Sequence, residues 1–193
     1  MRCVSPSEVD KLFGKDGFSI NANLQLQRFG LALTPDLSGK QHRVQGRPPT
    51  VSRLTDFAGV LNRWLPTKRH RLLWLSHWDN GSPNACEIFI AARIGLGESK
   101  SLLEAPGHYF DAHDYDFQDQ VEMPRKQWRD VGVLAGLLAL VMVNGGDAWL
   151  IAEGCTDGIE FWEGNLFLYS QNKARLADAD TLMNNFECPR TLE

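Results

Sequence analysis

Thirteen consecutive residues, Val131–Val143 (VGVLAGLLALVMV), carry neither a charge nor a polar side chain. A segment apolar on every face belongs in an interior. It is also too short to cross a hydrocarbon layer of about 30 Å, so it predicts the buried central helix of a domain. Pro124 suits the first position of that helix, 124–143, and Gly145-Gly146 ends it. Three short aromatic-rich segments follow, DAWLIAE, GIEFWEG and NLFLYS. Their alternation predicts an antiparallel meander covering the helix, with turns at Asp157-Gly158 and at Gly164-Asn165, the latter a two-residue turn with glycine first. Leu176, Ala179, Leu182, Met183 and Phe186 then define a closing helix, 173–186, stopped ahead of Pro189.

Upstream, Leu54, Phe57, Ala58, Leu61, Trp64 and Leu65 recur at helical spacing, with Arg53, Asp56, Asn62 and Arg63 opposite them and Pro66 closing the run. Arg71–Trp78 (RLLWLSHW) is short and apolar on both faces, which predicts an interior strand and places His77 in the core. Ser82-Pro83 opens a further helix lined by Ala85, Ile88, Phe89 and Ala92, with Gly95 as its stop. Gly97–Glu122 reads as a long polar connection. At the amino end, Ser5, Pro6 and Glu8 form the start of a short helix ending near Gly14. Asn23–Thr34 is strand-like, with a change of phase around Gly30. Pro35–Pro49 reads as a basic surface connector, and the lack of aromatic residues among its basic ones argues against a nucleic-acid arm.

These elements predict a single α+β domain, with residues 1–49 as an appendage and connector and 50–193 as the core. Its sheet, antiparallel or mixed, contains 71–78 and the three C-terminal strands, packed on helices 124–143 and 173–186. A chain of 193 residues supports such a core without metal or disulfide staples. Cys3, Cys86, Cys155 and Cys188 form no CxxC pair. With no apolar signal segment in MRCVSPSEVDKLF, a reducing cytoplasm and free thiols are expected.

Charge is divided along the chain. Residues 1–100 carry a net charge of +6 and residues 101–193 a net charge of −10. Glu104, Asp111, Asp114, Asp116, Asp119 and Glu122 follow one another with no Lys or Arg between them. Arg28–Arg71 holds nine basic residues against two acidic ones. Either the acidic stretch is a docking surface that steers a basic partner, or the two stretches fold side by side and neutralise each other.

Candidate chemistry concentrates in His108–Asp116 (HYFDAHDYD), where imidazoles and carboxylates offer metal donors or a general base. His108 and His113 are five apart with no glutamate between, which does not fit a helical HExxH site. A calcium loop starting at Asp111 would put His113 and Tyr115 at oxygen-ligand positions and Asp116 where glycine is needed. His113-Asp114 matches only the two-residue core of metal-dependent phosphohydrolases. The alternative is a solvated acidic loop. Cys155 lies in an exposed-looking turn without a histidine partner. GxSxG, P-loop and GxGxxG signatures are absent. Among six tryptophans, Trp64, Trp74, Trp78, Trp128 and Trp149 read mainly as core, and Trp162 reads as the best exposed interface anchor.

In size, net acidity, charge polarisation and lack of catalytic signatures, the chain resembles the small soluble α+β immunity proteins that bacteria pair with secreted toxins. That resemblance spans the whole chain and includes no diagnostic motif. It implies a non-enzymatic protein that blocks a basic toxin surface. The charge pattern and the tryptophan reading, not the resemblance, nominate Glu104, Asp111, Asp114, Asp116, Asp119, Glu122 and Trp162 as partner-binding residues. No cofactor, bound metal or membrane contact is expected on this reading. The alternatives are a metal-dependent hydrolase using the His108–Asp116 loop and an adaptor within a larger assembly.

Overall fold

The computed structural model describes residues 1–21, 25–28, 31–32, 43–65, 70–75, 89–91, 93–95, 97, 104–110, 125–155 and 157–190. Its framework is a seven-stranded antiparallel sheet. In chain order the elements are β1 (Arg2–Val4), α1 (Pro6–Phe13), β2 (Phe18–Ile20), β3 (Leu26–Arg28), β4 (Leu31–Ala32), β5 (Arg43–Gly46), α2 (Leu54–Trp64), β6 (Arg71–Leu75), β7 (Gly107–Phe110), α3 (Arg125–Asn144), β8 (Ala148–Ala152), β9 (Gly158–Trp162), β10 (Asn165–Tyr169) and α4 (Lys173–Asn185). The large sheet runs β1-β7-β6-β8-β9-β10-β5, and β2-β3-β4 form a small separate one. The α+β class, the C-terminal meander and its packing on α3 and α4 agree with the sequence reading.

Both faces of the large sheet are covered. On one, Leu73, Leu150, Ile159 and Leu168 pack with Phe57 and Leu61 of α2, Leu134 and Leu138 of α3 and Met183 of α4. On the other, Leu72, Trp74, Trp149 and Ile151 meet Val9 and Phe13 of α1 and Phe18 and Leu26 of the small sheet. Two-sided burial explains why β6 and β8 read as continuous apolar runs rather than alternating ones, each being buried at all five positions. In α3 the inward side carries Leu134, Leu137, Leu138, Val141 and Met142. Opposite them stand the exposed Gly132 and Gly136, which present no side chain to solvent, and Val143, which is 54% exposed. Among the described residues no helix is long and apolar enough to cross a membrane.

Residues 1–49 contribute both edges of the large sheet. Strand β1 pairs with β7 and β5 with β10. Arg43–Gly46, within the expected connector, is thus an edge strand, since its backbone completes the ladder beside β10. Lys15 pairs with Glu153, and an Asp16 carboxylate accepts the Gly154 N–H at 2.8 Å, which ties the first turn to the β8–β9 connection. The capping box at Ser5 and Glu8 is formed, with the Ser5 N–H donating to the Glu8 carboxylate at 2.8 Å. The single strand expected over 23–34 is instead two short ones, β3 and β4, which pair antiparallel with each other, and Gly30 lies outside the described residues.

A larger departure from the sequence reading is β7, which lies inside the expected polar connection yet occupies an interior position between β1 and β6. Gly107 permits this. A Cβ there would lie 2.6 Å from Val4 and 2.9 Å from Trp74, so only glycine fits between these side chains. The expected strand to Trp78 is described as far as Leu75, and His77 and Trp78 lie outside the described residues.

Candidate functional site

The β9–β10 hairpin ends in a tight turn. Trp162 pairs with Asn165, which leaves Glu163 and Gly164 as the two turn residues, one position earlier than the sequence reading placed them. Both have positive φ, 49° and 72°, the pattern of a type I′ turn. Glycine fits the second position without strain, whereas glutamate at the first does so at a cost of about 1 kcal/mol. Asp147, just beyond α3, holds the turn by accepting the Glu163 N–H at 2.9 Å.

This turn presents the tryptophan. Trp162 is 38% exposed, whereas Trp64, Trp74 and Trp149 are buried. Its ring ends an aromatic row across the sheet: Trp149 stacks on Tyr169 at 5.5 Å, Tyr169 on Phe167 at 6.3 Å, and Phe167 meets Trp162 at 6.5 Å. Glu163 is exposed and Asp147 half-buried. The tip therefore combines an accessible indole with carboxylates.

Beneath the row lies Glu160, buried at 6% exposure, in register with Trp149 on one side and Phe167 on the other. The Tyr169 hydroxyl donates to its carboxylate at 2.7 Å. Burial, with a contribution from the charge of Asp147, pushes the Glu160 carboxyl up to about 7, against the Tyr169 hydrogen bond and the charge of Arg43. Sequence reasoning missed this residue. The available signal was a lone charge inside GIEFW, a strand whose other positions are apolar, aromatic or glycine.

His108, expected in a polar loop, is instead fully buried in β7. Its Nε2 accepts a hydrogen bond from Arg93 Nε at 3.0 Å, and Arg93 Nη2 donates to the Ala105 carbonyl at 2.6 Å. The imidazole is therefore neutral, and burial together with the Arg93 charge holds its pKa down to about 3. Cys155, expected in an exposed turn, is buried, its sulfur accepting the Asp157 N–H at 3.2 Å. Burial pushes both its thiol and that of Cys188 up to about 11, so neither is a thiolate at neutral pH.

Of the expected acidic docking residues, Glu104 is exposed in the turn before β7. Asp111, Asp114, Asp116, Asp119 and Glu122 lie outside the described residues, as does His113. The structure does not bring Glu104 together with Trp162 in any hydrogen bond or ring contact among the described residues. Nor, among those residues, do three or more His, Cys, Asp or Glu side chains gather as a metal site. A further buried polar group is structural: Arg71 donates to the Asn62 side chain at 3.1 Å and to the Leu65 carbonyl at 3.1 Å, capping the end of α2. Comparison with known proteins finds no matching family model, no matching curated protein and no matching solved structure.

Proposed function

We propose that this protein binds another protein and neutralises it, the partner being a bacterial toxin with a basic active-site surface. One observation carries the reading: the exposed Trp162, held at a tight turn beside Glu163 and Asp147, while Trp64, Trp74 and Trp149 are buried. An aromatic anchor flanked by carboxylates suits a binding surface, because the ring supplies contact area and the charges supply steering. The net charge of −10 on residues 101–193 acts in the same direction. The placement of His108 lends no support to a hydrolase built on 108–116, since its acceptor nitrogen is already taken by Arg93. A reducing cytoplasm accords with Cys155 and Cys188 being free, buried thiols.

The test is co-expression with the product of a neighbouring toxin gene, followed by binding kinetics on the purified pair. Protection of the host and a complex whose association slows with added salt are expected. Replacing Asp111, Asp114, Asp116 and Asp119 by Asn should slow association and flatten the salt dependence, whereas Trp162→Ala should speed dissociation. Lack of protection together with salt-independent kinetics would reject the proposal.

A further inference from the structure

Aromatic rings at the margins of this fold are capped by the chain's own arginines. Arg2 lies over Tyr109 at 4.8 Å, Arg43 over Phe167 at 5.3 Å, Arg53 over Phe186 at 5.0 Å and Arg175 over Trp64 at 4.8 Å. Each guanidinium sits within the range in which the negative face of a ring attracts a cation. Trp162 is more exposed than any of these rings, and among the described residues no arginine covers it. Indole offers the strongest cation–π face of the three aromatic side chains. Two carboxylates belong to its turn: Glu163, the next residue, is exposed, and Asp147 accepts the Glu163 N–H at 2.9 Å, while Arg43 on the same face is engaged over Phe167.

Resting on the protein-binding reading above, we infer that Trp162 and Glu163 form a receptor for an arginine side chain supplied by the partner. The guanidinium would lie over the indole while Glu163 accepts its N–H groups. Its planar fork suits both contacts at once, since it stacks on the ring and donates to a carboxylate. The partner thereby completes at Trp162 the arrangement that Arg43 makes at Phe167 on the same face of the sheet.

The inference is testable on the full chain with its indole nitrogens labelled, following the Trp162 Nε1–H resonance, which is assigned by its loss in Trp162→Leu. The probes are a blocked Gly-Arg-Gly peptide and its citrulline counterpart, of nearly equal shape without the charge. A saturable shift of the Trp162 signal by the arginine peptide is expected, roughly three- to fivefold weaker for citrulline. Glu163→Gln, which leaves the ring in place, should weaken the arginine peptide by roughly twofold or more. An equal response to both peptides, or a response confined to the other indoles, overturns the inference. It is also overturned, with the toxin-binding reading left standing, if the partner binds Trp162→Leu and Glu163→Gln as tightly as the wild type. Arginine-selective binding at Trp162 in a protein that protects against no toxin would support the receptor while rejecting the toxin.

Discussion

His108 and Glu160 are buried titratable side chains on opposite faces of the same sheet, and the contrast between them shows how a second neighbour decides what burial leaves open. Burial disfavours the charged form of each, lowering the base and raising the acid. At His108 the adjacent Arg93 acts in the same direction as burial, so the neutral imidazole is fixed and serves as a hydrogen-bond acceptor. At Glu160 the Tyr169 hydroxyl and Arg43 oppose burial, and the carboxyl is left to titrate near neutrality. One pocket is a permanent part of the core. The other exchanges a proton within the physiological range, two residues from the exposed Trp162.

The largest effect expected from this contrast is acid sensitivity at His108. The unfolded chain binds a proton below about pH 6.5 and the native one only near pH 3, so this group's contribution is complete above pH 6.5 and declines as pH falls. The full window amounts to up to about 4–5 kcal/mol. His108→Gln should keep an acceptor for Arg93 and remove that decline, which urea unfolding at pH 7 and pH 4.5 would measure. An unchanged pH slope in the variant would mean that the imidazole is protonated in the native state.

Glu160 has the opposite sign. Its native carboxyl holds a proton more tightly than the unfolded one, so its contribution is largest below pH 4.5 and is lost as pH rises through about 7, by roughly 3 kcal/mol in all. Between pH 4.5 and 6.5 the contributions of the two residues have opposite slopes and nearly cancel each other. Glu160→Gln should therefore be more stable than the wild type at pH 8, and its stability should fall more steeply than the wild type's on acidification. The double variant should restore the wild-type slope over that range. If Glu160→Gln is destabilised at pH 8, the carboxylate is better satisfied than its neighbours indicate.

A smaller effect isolates the hydroxyl. Tyr169→Phe removes the donor to Glu160 and leaves the aromatic row intact, which should cost about 1–2 kcal/mol at pH 8 and much less at pH 5, where the carboxyl is protonated. Equal losses at the two pH values would show that the hydroxyl stabilises the fold without regard to the charge on Glu160.

How much of this was legible follows from the length and locality of each signal. Helices α2 and α4 and the β8–β10 meander repeat their apolar pattern over enough residues to reveal themselves, and Trp162 was recognisable as the tryptophan at the end of a hairpin strand. Strands β1, β5 and β7 have three or four residues each, and their identity comes from distant partners: Cys3 faces His108, and Val44 faces Leu168. No local window contains those pairings. His108 was misplaced because its neighbours Asp111 and Asp114 suggested solvent, whereas Gly107 against Trp74 fixes the strand in the interior. Glu160 reads as an ordinary surface acid unless both faces of its sheet are known to be covered.

The turn offers the finest comparison, between Glu160 and a second glutamate three residues later. Glu160 is buried in relaxed strand geometry, whereas Glu163 is exposed and held at positive φ. A residue placed in the left-handed region gains nothing from the conformation itself, and asparagine would adopt it at lower cost. Glu163→Asn also creates the Asn-Gly pair that type I′ turns favour. It should therefore stabilise the protein by roughly 0.5–1 kcal/mol in urea unfolding at pH 7. The same substitution removes the carboxylate beside Trp162, so binding of the arginine peptide should weaken as stability rises. Opposite movement of the two readouts would show that the strained glutamate is kept for its side chain. A variant that gains stability and binds as before would instead leave the strain without a function.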